Sequence, residues 1–189
     1  CASPALRSGV GLYFAVSPVS AVKIIAAGLH EAVYVPLPET PDGFVDVDSA
    51  VLEEIVLPKF DMASAVIVGC GLGNSENTRR LTEFVIRRAA CPVIIDADGI
   101  NSIAGNIDVL KERTGDTILT PHPLEFSRIT GLSVAQIQSD RLNAAKGFAQ
   151  EYGVTLLLKG ADTVIAAPDG RACVNSRACS GLSKGGSGD

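Results

Sequence analysis

Short apolar runs, each ending in a polar or glycine-rich cluster, recur along this chain and restrict it to few architectures. SAVIV at 64–68 leads into GCGLG at 69–73, and PVII at 92–95 leads into Asp96-Ala97-Asp98. Residues 117–120 lead into Pro121-His122-Pro123, and residues 154–159 lead into Gly160-Ala161-Asp162. Between these runs lie helical patterns. One starts at Asn74 or Ser75 and continues through Ala90; another predicts a single long helix over 133–152, with Val134, Ile137, Leu142, Ala145, Phe148 and Ala149 on one face. Upstream, residues 1–9 read as the end of a helix, 10–16 as a strand, 18–28 as a short helix and 32–37 as a strand. Asp46 or Asp48 then caps a helix running to about Leu57. Strands this apolar suit a parallel sheet covered by helices on both faces. Pro168-Asp169-Gly170 between 163–167 and 171–175 signals a C-terminal β-hairpin, so the expected α/β sheet is mostly parallel with a mixed end.

Composition narrows the function classes. The 189 residues suggest one domain, 1–189, and 47% hydrophobic against 20% charged residues can fill a large core. The net charge is −5, Trp is absent and no basic stripe occurs, which argues against nucleic-acid binding. Cys1, Cys70, Cys91, Cys173 and Cys179 form no CxxC pair, so neither a disulfide framework nor a zinc site is expected. Free thiols and the absence of a membrane span or signal peptide point to the cytoplasm.

In open α/β sheets, ligands bind beyond the carboxyl ends of the strands, and the polar clusters of this chain fall there. Gly71 and Gly73 in GCGLG allow close backbone approach, or simply make a tight turn. Asp96 and Asp98 orient a polar ligand or hold a metal through water; Asp98 equally suits a helix N-cap. His122, fixed between two prolines, is a ligand contact or a capping residue. Glu125 follows near a helix start, where it favours the helix dipole or orders a metal-bound water. Lys159 reaches a phosphate or faces solvent before a turn. Gly186, Ser187 and Gly188 supply successive amides for an anion hole, with Asp189 beside them to accept a proton during phosphoryl transfer; the bland alternative is a linker.

Taken together, ALRSGVGL (5–12), VIVGCGLG (66–73), PVIIDADGIN (92–101), ILTPHPLEF (118–126), SDRLNAAKGFAQEYG (139–153), LLLKGADTVIAAPDG (156–170) and GLSKGGSGD (181–189) make the chain resemble the ADP/ATP-dependent NAD(P)H-hydrate dehydratases. These belong to the ribokinase-like superfamily. The resemblance implies a three-layer fold and a repair reaction. A nucleoside di- or triphosphate phosphorylates the hydroxyl of hydrated NADH or NADPH, and phosphate elimination restores the cofactor. It implies Asp189 as the base, and Gly71, Gly73, His122 and Asp189 as hydrate contacts. Lys159, Gly160, Ala161, Asp162, Thr163 and Gly188 are implied for the adenine nucleotide. Mg2+ would bridge phosphates, with Glu125 and Asp96 as outer partners and no direct protein ligand. A homo-oligomer, such as a tetramer, and an epimerase partner or fused domain are also implied. The chain departs from the family pattern at Cys70, where Pro is usual, and at Ala178-Cys179, where Gly-Asn is frequent. It also reads as lacking the family's first strand, its Gly-Ala-Ala substrate segment and the helix after GGSGD, so this piece alone is expected to be inactive.

Two other functions fit parts of the pattern. A kinase of the same superfamily would release a phosphorylated vitamin precursor or sugar alcohol. A non-catalytic module would bind nucleotide without turnover. TPHPLE with DAD favours the dehydratase over the first, and Asp189 argues against the second.

Overall fold

The computed structural model describes residues 2–176. The chain opens with helix α1 (Ala2–Arg7), strand β1 (Phe14–Pro18), helix α2 (Val19–Ala26) and strand β2 (Val33–Leu37). β1 and β2 pair in parallel as a separate two-stranded sheet. β1 begins later than the apolar pattern predicts, because Gly9 and Gly11 keep the preceding segment irregular and leave Val10 and Leu12 exposed. Asp48, not Asp46, caps the next helix: its carboxylate accepts from the Val51 amide. That helix runs from α3 (Ser49–Val51) through a π segment (Leu52–Val56) into α4 (Leu57–Phe60). Pro58 lacks an N–H and would crowd the carbonyl a turn before it, which accounts for the wider winding there.

Six further strands form the main sheet. These are β3 (Val66–Val68), β4 (Val93–Ile95), β5 (Thr117–Leu119), β6 (Thr155–Leu158), β7 (Thr163–Ala166) and β8 (Ala172–Asn175), in that spatial order. β3 to β6 are parallel, while β7 and β8 add antiparallel as the expected hairpin. The connections are α5 (Glu76–Arg88), α6 (Asp98–Ile103) with a 3-10 segment (Ala104–Glu112), α7 (Pro123–Thr130), α8 (Val134–Ser139) and α9 (Arg141–Tyr152). One contiguous core joins Val68, Ile95, Leu119, Leu156 and Leu158 of the strands to Ile86, Ile103, Phe126, Ile137 and Phe148 of the helices. The alternate strand positions Ile94, Ile118, Leu157 and Ile165 are also apolar but only half-buried, and Ile67 is exposed.

The single long helix expected over 133–152 is instead two helices. Asp140 leaves helical geometry at φ −151° and ψ 67°, and its carboxylate accepts from the Asn143 amide to start α9. A competing N-cap in mid-pattern outweighs the apolar periodicity that runs across it.

Glu83 on α5 is 6% exposed and accepts from Arg79 at 2.7 Å, Arg87 at 2.8 Å and Asn106 at 3.0 Å. Burial pulls its pKa up, but the bonds from Asn106, Arg87 and Arg79 outweigh this and hold it below the ordinary value of 4.5. A group depressed in the folded state contributes stability above its unfolded pKa and loses it as pH falls through the folded value. Denaturant stability should therefore decline below about pH 4.5, the ordinary Glu value. Glu83→Gln should flatten that decline, and matching pH profiles for the two proteins would refute the assignment.

Candidate functional site

Four adjacent parallel strands each release a polar side chain at their carboxyl ends, and these side chains converge. Cys70 follows β3, Asp96 follows β4, Thr120 follows β5 and Lys159 follows β6. The Asp96 carboxylate is the hub. One oxygen accepts from Thr120 Oγ1 at 2.6 Å and from Lys159 Nζ at 3.2 Å; the other faces Cys70 Sγ at 3.6 Å. Asp96 is 9% exposed, so these donors compensate its charge where water cannot. Burial and the Asp96 charge push the Cys70 thiol up, which keeps it protonated and able to donate. Burial, then Cys70 and Tyr34, push the Tyr13 phenol up.

The turn after β3 is built by glycines. Gly69 has φ 123°, and a Cβ there would lie 1.9 Å from the Asp96 carbonyl oxygen. Gly73, at φ 72°, leaves room for the Phe44 ring, which would sit 2.3 Å from its Cβ. Gly71, at φ 71°, has open space where its side chain would be. Ala97 adopts a positive φ of 50°, rare for a residue with a Cβ. That turn presents the Asp98 carboxylate to the Gly73 amide at 2.8 Å. Asp98 therefore does not cap its own helix: Ala97 occupies the N-cap position, and the Asp98 carboxylate is spent on the GCGLG turn.

His122 caps α7. Its Nδ1 accepts from the Leu124 and Glu125 amides at 3.1 Å, while a Glu125 oxygen accepts from the His122 amide at 2.8 Å. The capping alternative for His122 is thus realised. With Nδ1 accepting, the ring's proton belongs on Nε2, which lies 3.4 Å from the second Glu125 oxygen. Glu125 is 4% exposed, whereas the His122 side chain is 40% exposed and open to a ligand.

The turn after β6 docks on the same loop, since the Lys159 amide donates to the Pro121 carbonyl at 2.8 Å. Thr163 closes the turn through Gly160 O at 2.9 Å, and Ala161 and Asp162 stay exposed. Arg141 at the start of α9 lies beneath it and donates to the Leu158, Lys159 and Asp162 carbonyls. Gly71, Gly73, Asp96, His122, Glu125 and the 159–163 turn therefore share one edge of the sheet. Gly186, Ser187, Gly188 and Asp189 lie outside the described residues. The sequence reading missed Thr120, Tyr13, Phe44 and Arg141; Thr120, the first residue of TPHPLE, carried the clearest signal. Cys70, Cys91 and Cys173 are free thiols among the described residues. No helix among these residues is long and apolar enough to cross a membrane.

A family profile described as NAD(P)H-hydrate dehydratase matches residues 1–189. The chain is 37% identical, over its whole length, to a bifunctional NAD(P)H-hydrate repair enzyme from Moorella thermoacetica, and spans 35% of that protein. It is 35% identical over 98% of its length to an ADP-dependent (S)-NAD(P)H-hydrate dehydratase from Bacillus subtilis, and spans 60% of it. A crystal structure of an ADP/ATP-dependent NAD(P)H-hydrate dehydratase from Bacillus subtilis, co-crystallised with ATP/Mg2+ and soaked with CoA, superposes with a TM-score of 0.74. It is 32% identical, and the match covers 98% of this chain and 62% of that one. The expected ribokinase-like α/β fold is thereby established.

Proposed function

This chain belongs to the NAD(P)H-hydrate dehydratase family, and on that premise we propose that the protein returns hydrated NADH or NADPH to the normal cofactor at the expense of ADP or ATP. The observation that carries this reading is the row of Cys70, Asp96, Thr120 and Lys159, with His122 beside it, along the carboxyl edge of four parallel strands.

In this reading the 159–163 turn, Lys159, Gly160, Ala161, Asp162 and Thr163, together with Gly188, holds the adenine nucleotide. Gly71, with open space at its Cβ position, and the neighbouring Gly73 contact the hydrate, and the Nε2–H of His122 donates to one of its polar groups. Gly186, Ser187 and Gly188 offer amides to the phosphoryl group in flight. The hydrate hydroxyl oxygen attacks the terminal phosphorus, the bond to the nucleotide's bridging oxygen breaks, and the hydroxyl proton goes to Asp189. The C–O bond then breaks with its electron pair leaving on phosphate. The lone pair of the ring nitrogen drives this departure, and a proton lost from the neighbouring carbon to water restores the double bond.

Mg2+ would neutralise phosphate charge during transfer. The chain's donor set fits a metal held mainly by phosphates and water. The Asp96 carboxylate is engaged by Thr120 and Lys159, Asp98 by the Gly73 amide, and Glu125 by the His122 amide. Asp96 and Glu125 are then outer partners acting through water. A homo-oligomeric working unit and an epimerase partner or fused domain complete the proposal, in line with bifunctional relatives.

The deciding assay supplies the full-length protein with hydrated NADH, Mg2+ and either ADP or ATP. The expected result is nucleotide-dependent return of NADH absorbance with stoichiometric release of phosphate. A stable phosphorylated product without NADH would instead establish a kinase, and nucleotide binding without turnover would establish a binding module.

A further inference from the structure

The turn at 159–163 is held from behind by a side chain with no assigned role. Arg141 Nη2 donates to the carbonyls of Leu158 at 3.0 Å, Lys159 at 3.2 Å and Asp162 at 3.2 Å. Nη1 reaches Gln138 Oε1 at 3.2 Å, and the Asp140 cap directly before Arg141 fixes the start of its helix. Gly160 is what admits the guanidinium: a Cβ there would lie 2.6 Å from Nη2 and 3.0 Å from Cζ. Arg141 Nε is buried and has no hydrogen-bond partner among the described residues.

The peptide plane converts this clamp into an orientation. In a trans peptide the C=O and the following N–H point in opposite directions. Carbonyls 159 and 162 turned inward to Arg141 therefore turn the amides of Gly160 and Thr163 away from it. A fixed positive charge also stands behind a turn that must meet a polyphosphate.

We infer that Arg141 is a positioning residue that fixes the 159–163 turn with its carbonyls inward, so that the Gly160 amide and the Lys159 side chain meet the nucleotide phosphates. This rests on the nucleotide reading of that turn. Arg141 touches no phosphate itself.

Arg113 provides a built-in control. It binds backbone in a similar way at the opposite edge of the sheet, donating to the Ala89, Cys91 and Ile86 carbonyls before β4 and β5. Arg113→Met should lower thermal stability and leave nucleotide affinity intact.

The test is titration of the full-length wild type, Arg141→Met, Arg141→Lys and Gly160→Ala with ADP and with ATP, alongside melting curves and steady-state kinetics. Arg141→Met should weaken nucleotide binding about ten- to hundredfold through misplacement of the turn. Turnover at saturating nucleotide should stay within about threefold, because the transfer chemistry is untouched. Lysine, which keeps the charge and three donors but is shorter and loses the Nη1 bond to Gln138, should restore part of the affinity, and it decides the matter should Arg141→Met not fold. Gly160→Ala, which displaces the guanidinium from the other side, should weaken binding in the same direction. A lowered melting temperature with wild-type nucleotide affinity would overturn the inference and reduce Arg141 to the standing of Arg113. Absence of nucleotide binding in the wild type would overturn the function reading and this inference together.

Discussion

Gly69→Ala is expected to lower the melting temperature by roughly 5–20 °C, the shift that a loss of roughly 2–6 kcal/mol produces in a domain of this size. Two costs add. An alanine at φ 123° is in a region that side chains rarely adopt, which costs about 1–3 kcal/mol. Its methyl would then stand 1.9 Å from the Asp96 carbonyl oxygen, 2.6 Å from the Gly99 nitrogen and 2.8 Å from the Gly99 Cα. All three are backbone atoms, so no rotamer change relieves the contact, and overpacking of this kind costs about 1–3 kcal/mol more. The same carbonyl accepts from the Gly99 amide at 3.0 Å, so its displacement loosens the start of α6 and moves Asp96 away from Lys159. Gly147→Ala makes the contrast. It lies inside α9 with nothing within 4 Å of its Cβ position, and should stabilise by about 0.5–1 kcal/mol through helix propensity. Calorimetry on both variants checks the pair; a Gly69→Ala melt within two degrees of wild type would refute the interlocked turn.

The same junction shows what the sequence could and could not convey. The parallel strands were legible because each is a short apolar run closed by glycine, proline or aspartate, and the hairpin was legible from Pro168-Asp169-Gly170. These signals are local. The helix break at Asp140 was hidden because the apolar spacing of Ile137, Ala145 and Phe148 carries across it, although Ser139-Asp140 is itself a capping pair. The cap that was one of two alternatives for Asp98 is unrealised for a related reason. Nothing local reveals that Ala97 takes a positive φ and sends the Asp98 carboxylate to the amide of Gly73. The α6 and 3-10 stretch over 98–112 had no counterpart in the sequence reading beyond its first turn, since its apolar residues keep no single period.

Site residues divide along the same line. Asp96, His122 and Lys159 stood out because each follows an apolar strand, where an open α/β sheet gathers its ligands. Thr120 and Cys70 become partners of Asp96 only when three strand ends come together. Arg141 was invisible for a further reason. Its acceptors are backbone carbonyls, which every residue possesses, so no residue type in the sequence marks the partner. Gly160 was the one trace of that contact, and its glycine was explained equally well by close approach to a ligand.

Asp189→Asn is expected to lower turnover about a hundred- to ten-thousandfold, the range for loss of a general base, which corresponds to roughly 3–5 kcal/mol of barrier. The prediction follows from the sequence GGSGD and the family to which the chain belongs. Asparagine keeps the size of the side chain and removes the proton acceptor. A carboxylate is a weak base. It suffices here because the loose transition state of phosphoryl transfer needs the hydroxyl proton removed late, so placement matters more than basicity. Nucleotide affinity should change little in Asp189→Asn, because the 159–163 turn and its Arg141 support are intact. Lys159→Ala should show the opposite division. It removes the cation held by Asp96 at 3.2 Å and weakens nucleotide binding before it affects the chemistry. Steady-state kinetics and nucleotide titration on both variants of the full-length enzyme separate the two roles. Near-normal turnover in Asp189→Asn would remove it as the base. The role would then pass to Asp96 or Asp98, and the bonds each already makes argue against both: Asp96 is committed to Thr120 and Lys159, and Asp98 to the Gly73 amide.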